Sequence, residues 1–350
     1  MVDLFNNPIQ QKNHFSYEWY LKDLPKPKEN TYKVFGTFIS CGGTSLGAKL
    51  AGFNHLGGVE ISEKIAAVYK KNLNPKYLFV EDVRDFKKKA IKKEIPDELY
   101  NLDILEGSPP CTTFSLCGER QKAFGKLKKF AEGSKLQTLD DLVFEYVELA
   151  CILKPKVVFF ENVAGFKASY SKNHYKKVIE ILSKEFCLNE YLLNAKYMGL
   201  PQSRTRFFII AIRKDLEFLN LNLNYNESII PFSEFAEFAP MSNHLRKNED
   251  KLKTFIESYK LGRKAPFNRE DDSFFTKDKP LPCLVNKNSG WSVEYFRRPT
   301  HRERILASSF PLDYDFGNKT NMFYGTGMCV PPLVAANIFT EIKTQILEKI

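Results

Sequence analysis

The chain has 350 residues, 43% apolar and 27% charged, and its 52 Lys and Arg against 42 Asp and Glu leave a net charge of +10. That balance argues against a disordered chain, a collagen and a disulfide miniprotein, and the length is ample to bury a core in roughly two domains. Seven cysteines without a CxxC pair and five scattered histidines argue against a disulfide framework or a zinc module, while the positive excess points to a polyanionic partner, above all nucleic acid.

In chain order, residues 1–32 read as an extension, with HFSYEWYLKDL suited to a short amphipathic helix and PKPKEN to a charged, extended connector. MVDLFNNPIQQK lacks the basic-then-apolar order of a secretion signal, and no apolar run approaches the roughly 18 residues of a membrane span, so the expected compartment is the cytoplasm. From Tyr32 the pattern alternates. KVFGTFI is a strand, CGGTSLG a turn entering a helix at residues 48–51, HLGGVEI a second strand, and SEKIAAVYKKN a helix with Ser62 as its N-cap. KYLFVED, NLDILEG and PKVVFFENV are three more strands, LDDLVFEYVELACIL is a helix of 3.6 spacing, and RFFIIAIR is a further buried strand. Such alternation predicts an α/β fold built on a doubly wound, mostly parallel sheet, with ligands at the carboxyl ends of its strands. The rhythm stops after Arg213. Residues 33–213 therefore form a first domain, 214–295 a smaller inserted one, and 296–350 return to the first, VPPLVAANIFTEIKTQILEKI packing back as a helix.

The residues able to do chemistry fall at strand ends. Gly42, Gly43 and Gly47 let backbone approach a ligand and let a helix N-terminus face it. Glu60 closes the second strand, where an acid accepts hydrogen bonds from ribose hydroxyls. Asp82 stands where a carboxylate accepts from an adenine amino group, or simply caps the next helix. In GSPPCTTFS two prolines present Cys111 at the crevice among Thr112, Thr113 and Ser115, whereas Cys117, Cys151 and Cys187 read as small buried hydrophobes. The lysine-rich stretch that follows, which includes Lys122, suits a loop closing over a phosphodiester backbone. Glu161 and Asn162 end the fifth strand beside Cys111. A carboxyl there suggests an acid paired with a nucleophile, with a satisfied structural carboxylate as the alternative. Arg204 and Arg206, two apart, share one face as a strand begins and suit phosphate or a carbonyl oxygen.

Taken together, these stretches resemble the DNA cytosine-5 methyltransferase family, bacterial modification-methylase type, over nearly all of residues 33–345 and in the family's motif order. FISCGGTSLGAKLAGF resembles the glycine-rich first motif, and VEIS and EDVRDF the next two. SPPCTTFS resembles the Pro-Cys motif, ENV the glutamate motif and PQSRTRFFIIA the Gln-x-Arg-x-Arg motif. RRPTHRERILASSFP and GTGMCVPPLVA are similar to the last two. The resemblance implies Cys111 as nucleophile, Glu161 as the acid at the cytosine ring, and Arg206 with Arg204 near the flipped base. It implies S-adenosyl-L-methionine as cofactor, held by Phe38, Glu60, Ile61 and Asp82 with Gly42, Gly43, Gly47, Val83 and Ser108, and no metal. Ser115, Lys122, Arg297 and Arg302 become DNA contacts, as do Arg298 and Arg304, and 214–295 the target-recognition domain. The implied setting is a monomer acting on double-stranded DNA near the bacterial nucleoid, off the membrane, with a possible cognate restriction endonuclease encoded separately. A tRNA-methylating branch and a non-catalytic DNA-binding relative are the other readings. The chain departs from the family pattern at Gly36, where Asp is usual, and at Ser40, where Gly is usual. It also departs at Ser108, Thr112, Met328 and Cys329.

Overall fold

Runs of Val, Ile and Phe that are buried on both sides make the centre of the molecule, as expected of strands covered by helices on each face. The computed structural model describes residues 16, 18–28, 31–110, 141–167, 172–216, 220–266, 273–286 and 290–350; Cys111, Thr112, Ser115 and Lys122 lie outside them. Strands β1 (Lys33–Thr37), β2 (Asn54–Val59), β3 (Tyr77–Phe79), β4 (Ile104–Gly107) and β5 (Val157–Val163) are interleaved with α1 (Gly43–Leu50), α2 (Glu63–Leu73), α3 (Val83–Ile91) and α4 (Leu142–Leu153). Then come α5 (Lys172–Leu182), β6 (Phe186–Asn194), the short β7 (Gln202–Ser203) and β8 (Thr205–Arg213). The sheet runs β3-β2-β1-β4-β5-β8-β6, its first five strands parallel and β8 antiparallel to both neighbours.

The following region holds α6 (Asn243–Arg246), α7 (Glu249–Lys260), β9 (Phe274–Phe275), β10 (Leu281–Pro282) and β11 (Trp291–Ser292). The chain ends with α8 (His301–Ala307), α9 (Lys319–Met328) and α10 (Pro332–Ile342). Residues of α3, α4 and α5 cover one face of the sheet, among them Phe86, Tyr146 and Val178. Residues of α1 and α10, such as Ala48, Leu333 and Ile338, cover the other. The two helices touch closely because α1 carries Gly47, where a Cβ would lie 2.4 Å from Cβ of Ala335.

Four expectations change. Helix α1 starts at Gly43 rather than at residue 48, its N-cap Gly42 taking a left-handed φ of 76° that glycine adopts without strain. The extension is no mere appendage: Trp19 is buried against Phe310 and Tyr314, and its indole N–H donates to the Ser309 carbonyl at 3.0 Å. The inserted region does not part cleanly at its ends. Leu221 and Leu223 join the core of the sheet, while Leu306 and Ala307 of α8 join the second core around Phe232, Phe275 and Leu281. Finally, the stretch Lys319–Leu347 is apolar and long enough to cross a membrane by composition, but 72% of its apolar window is buried and the chain breaks between α9 and α10.

Candidate active site

The turn after β1 is tightly wound. Phe38 and Ser40 both adopt left-handed φ, 54° and 50°, a conformation that costs a non-glycine residue on the order of 1–3 kcal/mol. Glu60, at the end of β2, holds it: its Oε2 accepts from the Ser40 N–H at 3.0 Å and its Oε1 from the Ser62 N–H at 2.9 Å. Ser62 itself caps α2 through the Ile65 N–H. Ile61 beside it is exposed and Phe38 partly buried, so this strand end presents two apolar side chains and a carboxylate. Asp82 is the N-cap of α3, accepting from the Arg84 N–H at 2.9 Å and pairing with its guanidinium at 3.1 Å. The Val83 side chain is buried in the core with Phe86, which leaves only its backbone for a ligand.

A second group gathers where β5 ends and β8 begins. Because β8 is antiparallel to β5, Glu161 and Arg206 are diagonal neighbours across the pair, and Arg206 Nε lies 3.2 Å from Glu161 Oε1. Burial pushes the Glu161 carboxyl above the ordinary range, against the opposing pull of Arg206, Arg204 and the Ser108 hydroxyl. Asn162 turns the other way: its amide donates to the Pro109 carbonyl at 3.3 Å, which ties the glutamate strand to the segment that leads into Cys111. Sequence reasoning named Asn162 only as a neighbour, and no pattern distinguished its role.

The arginines sort differently from expectation. Arg204 is 2% exposed and donates to the carbonyls of Leu284, Gly327 and Cys329 at 3.0–3.3 Å, so it clamps three chain segments instead of facing a base. Arg297 is likewise buried, with Glu303 accepting from both its Nη atoms at 2.8 Å, and is not available to phosphate. Arg304 is buried against the Val285 carbonyl and Thr326. Arg302 stays partly exposed, paired with Glu18 and Glu237, and Arg298 lies over the Trp291 ring. Cys283, which drew no notice in the sequence, sits 3.7 Å from Arg204 and 4.0 Å from Arg206. Burial raises its thiol pKa, but the two guanidiniums outweigh that and bring it below the ordinary value.

A model of the C-5 cytosine-specific DNA methylase family matches residues 32–344. The chain belongs to that family. The methylase is 28% identical over 319 residues to the type II methyltransferase M.HindV of Haemophilus influenzae, covering 89% of this chain and 96% of that one. It is 27% identical to M.AplI of Arthrospira platensis, covering 96% and 94% respectively. Among solved structures, its fold is similar to an Escherichia coli prophage protein assigned as a DNA modification methyltransferase (TM-score 0.66, 20% identity, 91% of this chain and all of that one). It is also similar to DNMT2 of Spodoptera frugiperda (TM-score 0.62, 16% identity, 89% and 100%). The fold is that of S-adenosylmethionine-dependent methyltransferases, and the methylase is a cytosine-5 methyltransferase.

Proposed function

We propose that this methylase transfers a methyl group from S-adenosylmethionine to carbon 5 of a cytosine flipped out of a short, specific duplex DNA sequence, through a covalent bond between Cys111 and carbon 6. The observation that carries the reading is the Glu161 carboxyl, buried, held by Arg206 and pushed above the ordinary carboxylate range by that burial, on a strand tied through Asn162 to the Pro109 carbonyl. Carbon 5 of cytosine is a poor nucleophile. The Cys111 thiolate adds to carbon 6 while Glu161 gives a proton to the ring nitrogen, and the electron density moves to carbon 5. When bound, S-adenosylmethionine supplies the sulfonium methyl group that this carbon takes. Loss of the carbon-5 proton and expulsion of Cys111 then restore the ring.

The cofactor fits the strand ends. Glu60 holds the turn and the Ser62 cap with its carboxylate, which places that acceptor at the strand end where a ribose diol would lie. Phe38 and Ile61 offer apolar contact to the adenine, and Asp82 an acceptor for its amino group, with the glycines of the turn and Ser108 alongside. A stacked base exposes neither face, so the target must leave the duplex at a cost of a few kcal/mol. Ser115, Lys122 and the partly exposed Arg302 and Arg298 are the candidates for the DNA backbone, since Arg297 and Arg304 are buried. A separately encoded endonuclease as partner and a bacterial cytoplasmic setting follow from the modification-methylase reading.

The test incubates the protein with unmethylated plasmid and S-adenosylmethionine beside Cys111→Ser, then maps conversion-resistant cytosines by bisulfite sequencing. Protection at one recurring short motif, absent with the variant, is the expected result. A plasmid carrying all short motifs that stays unprotected, although the cofactor binds, overturns the DNA reading, and transfer to tRNA would then assign the RNA branch.

A further inference from the structure

Glu106 is a buried acid that the reaction above leaves without a role. It projects from β4, two residues before Ser108, and is 1% exposed. His55 of β2 faces it. Its Nε2 and Glu106 Oε1 are 3.5 Å apart, and neither atom has a closer polar partner among the described residues. Strand β1 lies between β2 and β4 and lets them meet, because its residue at the crossing is Gly36: a Cβ there would lie 2.5 Å from Glu106 Oε1.

His55 is fixed in its turn. Strand β2 carries one residue more than β1 between paired positions, Val34 matching His55 but Gly36 matching Gly58. Gly57 in this bulge has a φ of 127°, and its N–H donates to Nδ1 of His55 at 3.2 Å. An accepting Nδ1 puts the proton of the neutral ring on Nε2, aimed at Glu106. The Tyr69 hydroxyl lies 3.4 Å from the same Nδ1 and donates to Ser45 Oγ, in the first turn of α1, at 3.1 Å. Glu106, His55, Tyr69 and Ser45 therefore form a buried row of polar side chains from β4 through β2 and α2 to the helix that opens behind the cofactor turn, in which Tyr69 and His55 meet by contact while their protons go to Ser45 and toward Glu106.

Position 36 is where the family's first motif ordinarily has Asp. A side chain there would have to displace the Glu106 carboxyl and Ile39 from where they stand, and this chain holds glycine at one position and a carboxyl at the other. We propose that Glu106 is a positioning residue: it supplies from the neighbouring strand the carboxyl that the first motif lacks, and through His55, Tyr69 and Ser45 it holds the cofactor turn and α1 in register with the strand leading to Cys111. The proposal rests on the S-adenosylmethionine reading.

The test measures S-adenosylmethionine affinity by isothermal titration, KM and kcat by methyl transfer, and thermal unfolding, on the full chain and on Glu106→Gln, Glu106→Ala and Gly36→Asp/Glu106→Ala. Glu106→Ala is expected to weaken cofactor binding about tenfold, raising KM for the cofactor with kcat at saturation little changed, and Glu106→Gln to lose less. The double variant, with its carboxyl moved back to β1 and Ile39 rotated aside, is expected to recover affinity to within about threefold of the parent. A parent that does not bind the cofactor overturns the cofactor reading and this proposal with it. A parent that binds while Glu106→Ala binds as tightly overturns this proposal alone, as does a double variant no better than Glu106→Ala. If Glu106→Ala does not fold, the double variant decides: a folded protein of near-parent affinity supports the proposal, and its failure overturns it.

Discussion

Glu161 lies 3.2 Å from a guanidinium and still titrates above the ordinary carboxylate range, because burial outweighs the attraction of Arg206 and Arg204. Burial lets this carboxyl keep a proton to donate at a higher pH than a free one, so Glu161→Gln is expected to lower the single-turnover rate by about 10²- to 10⁴-fold while leaving cofactor affinity in place. Since the acid form is the working one, the parent's rate should fall as pH rises through the elevated Glu161 pKa, and a rate flat in pH across that range would contradict the assignment. The buried pair beneath β1 has a different signature. Glu106 is raised well above its unfolded 4.5, by burial first and by Cys329 and Glu161 next, so its contribution to stability is complete below pH 4.5 and is lost as pH rises toward its folded value. His55 is lowered to about 3 from 6.5, by burial and then Lys49, so its contribution is complete above pH 6.5 and is lost as pH falls. The two slopes oppose one another between pH 4.5 and 6.5. In urea titrations the parent should lose stability relative to Glu106→Gln, by up to about 1.4 kcal/mol per pH unit, as pH rises above 4.5 toward the value at which the folded Glu106 ionises. The arginine pair shows what could be read in advance. Spacing put Arg204 and Arg206 on one face, and they do share Cys283 as a neighbour. What separates them is the set of carbonyls around Arg204, contributed by residues 80 to 125 positions away, which no local pattern reports. Arg204→Ala should therefore cost about 3 kcal/mol or more in denaturant unfolding, by leaving those carbonyls buried and unpaired, whereas Arg206→Ala should lose activity with a smaller loss of stability.

At the level of elements, the β1–α1 unit was legible as a strand and a glycine-rich turn, but not where the turn stops. Two glycines in a row suggest continued irregularity; the structure puts Gly42 at the N-cap and Gly43 already inside the helix. Gly43 lies under the Val330 carbonyl and Gly47 against Ala335, positions decided by α10, nearly three hundred residues further on. Gly47→Ala should accordingly destabilise the protein by about 1–3 kcal/mol, since the Ala335 Cβ and the α10 backbone at Pro332 and Ala336 leave no room for a methyl group. Denaturant unfolding at constant m-value would check it. Strand β6 escaped notice because FCLNEYLLN is half-exposed at the sheet edge and shows neither the continuous apolar run of β5 and β8 nor clean alternation. Two departures from the family pattern, Ser40 in the first motif and Cys329 in the last, prove to touch: the Cys329 thiol donates to Ser40 Oγ at 3.3 Å. They read as separate oddities along the chain and as one contact in space.

Across the whole molecule, the order of strands and helices was written in the alternating pattern, and the residues singled out at strand ends, Glu60 and Glu161 among them, do lie where β2 and β5 close. The junctions were not. Residues 19–24 lie before the family match, yet Trp19 packs with Phe310 and Tyr314, its carbonyl accepts from the Leu312 N–H, and the Leu21 N–H donates to Asp313. Trp19→Ala is expected to cost about 3–5 kcal/mol, as for other large aromatic truncations in a core, measured as a lower urea midpoint without change in the methylated sequence. The clamp at Arg204 bears on the timing of manufacture. Its guanidinium is translated more than 120 residues ahead of Gly327 and Cys329, whose carbonyls it needs, and α10, which covers the sheet, follows later still. Until those residues are made, Arg204 in a growing polypeptide keeps water in place of its acceptors, and the crevice is complete only once they and α10 have followed. A message broken before residue 327 therefore yields a product whose Arg204 has lost two of its carbonyl partners, a silent product rather than a half-discriminating one.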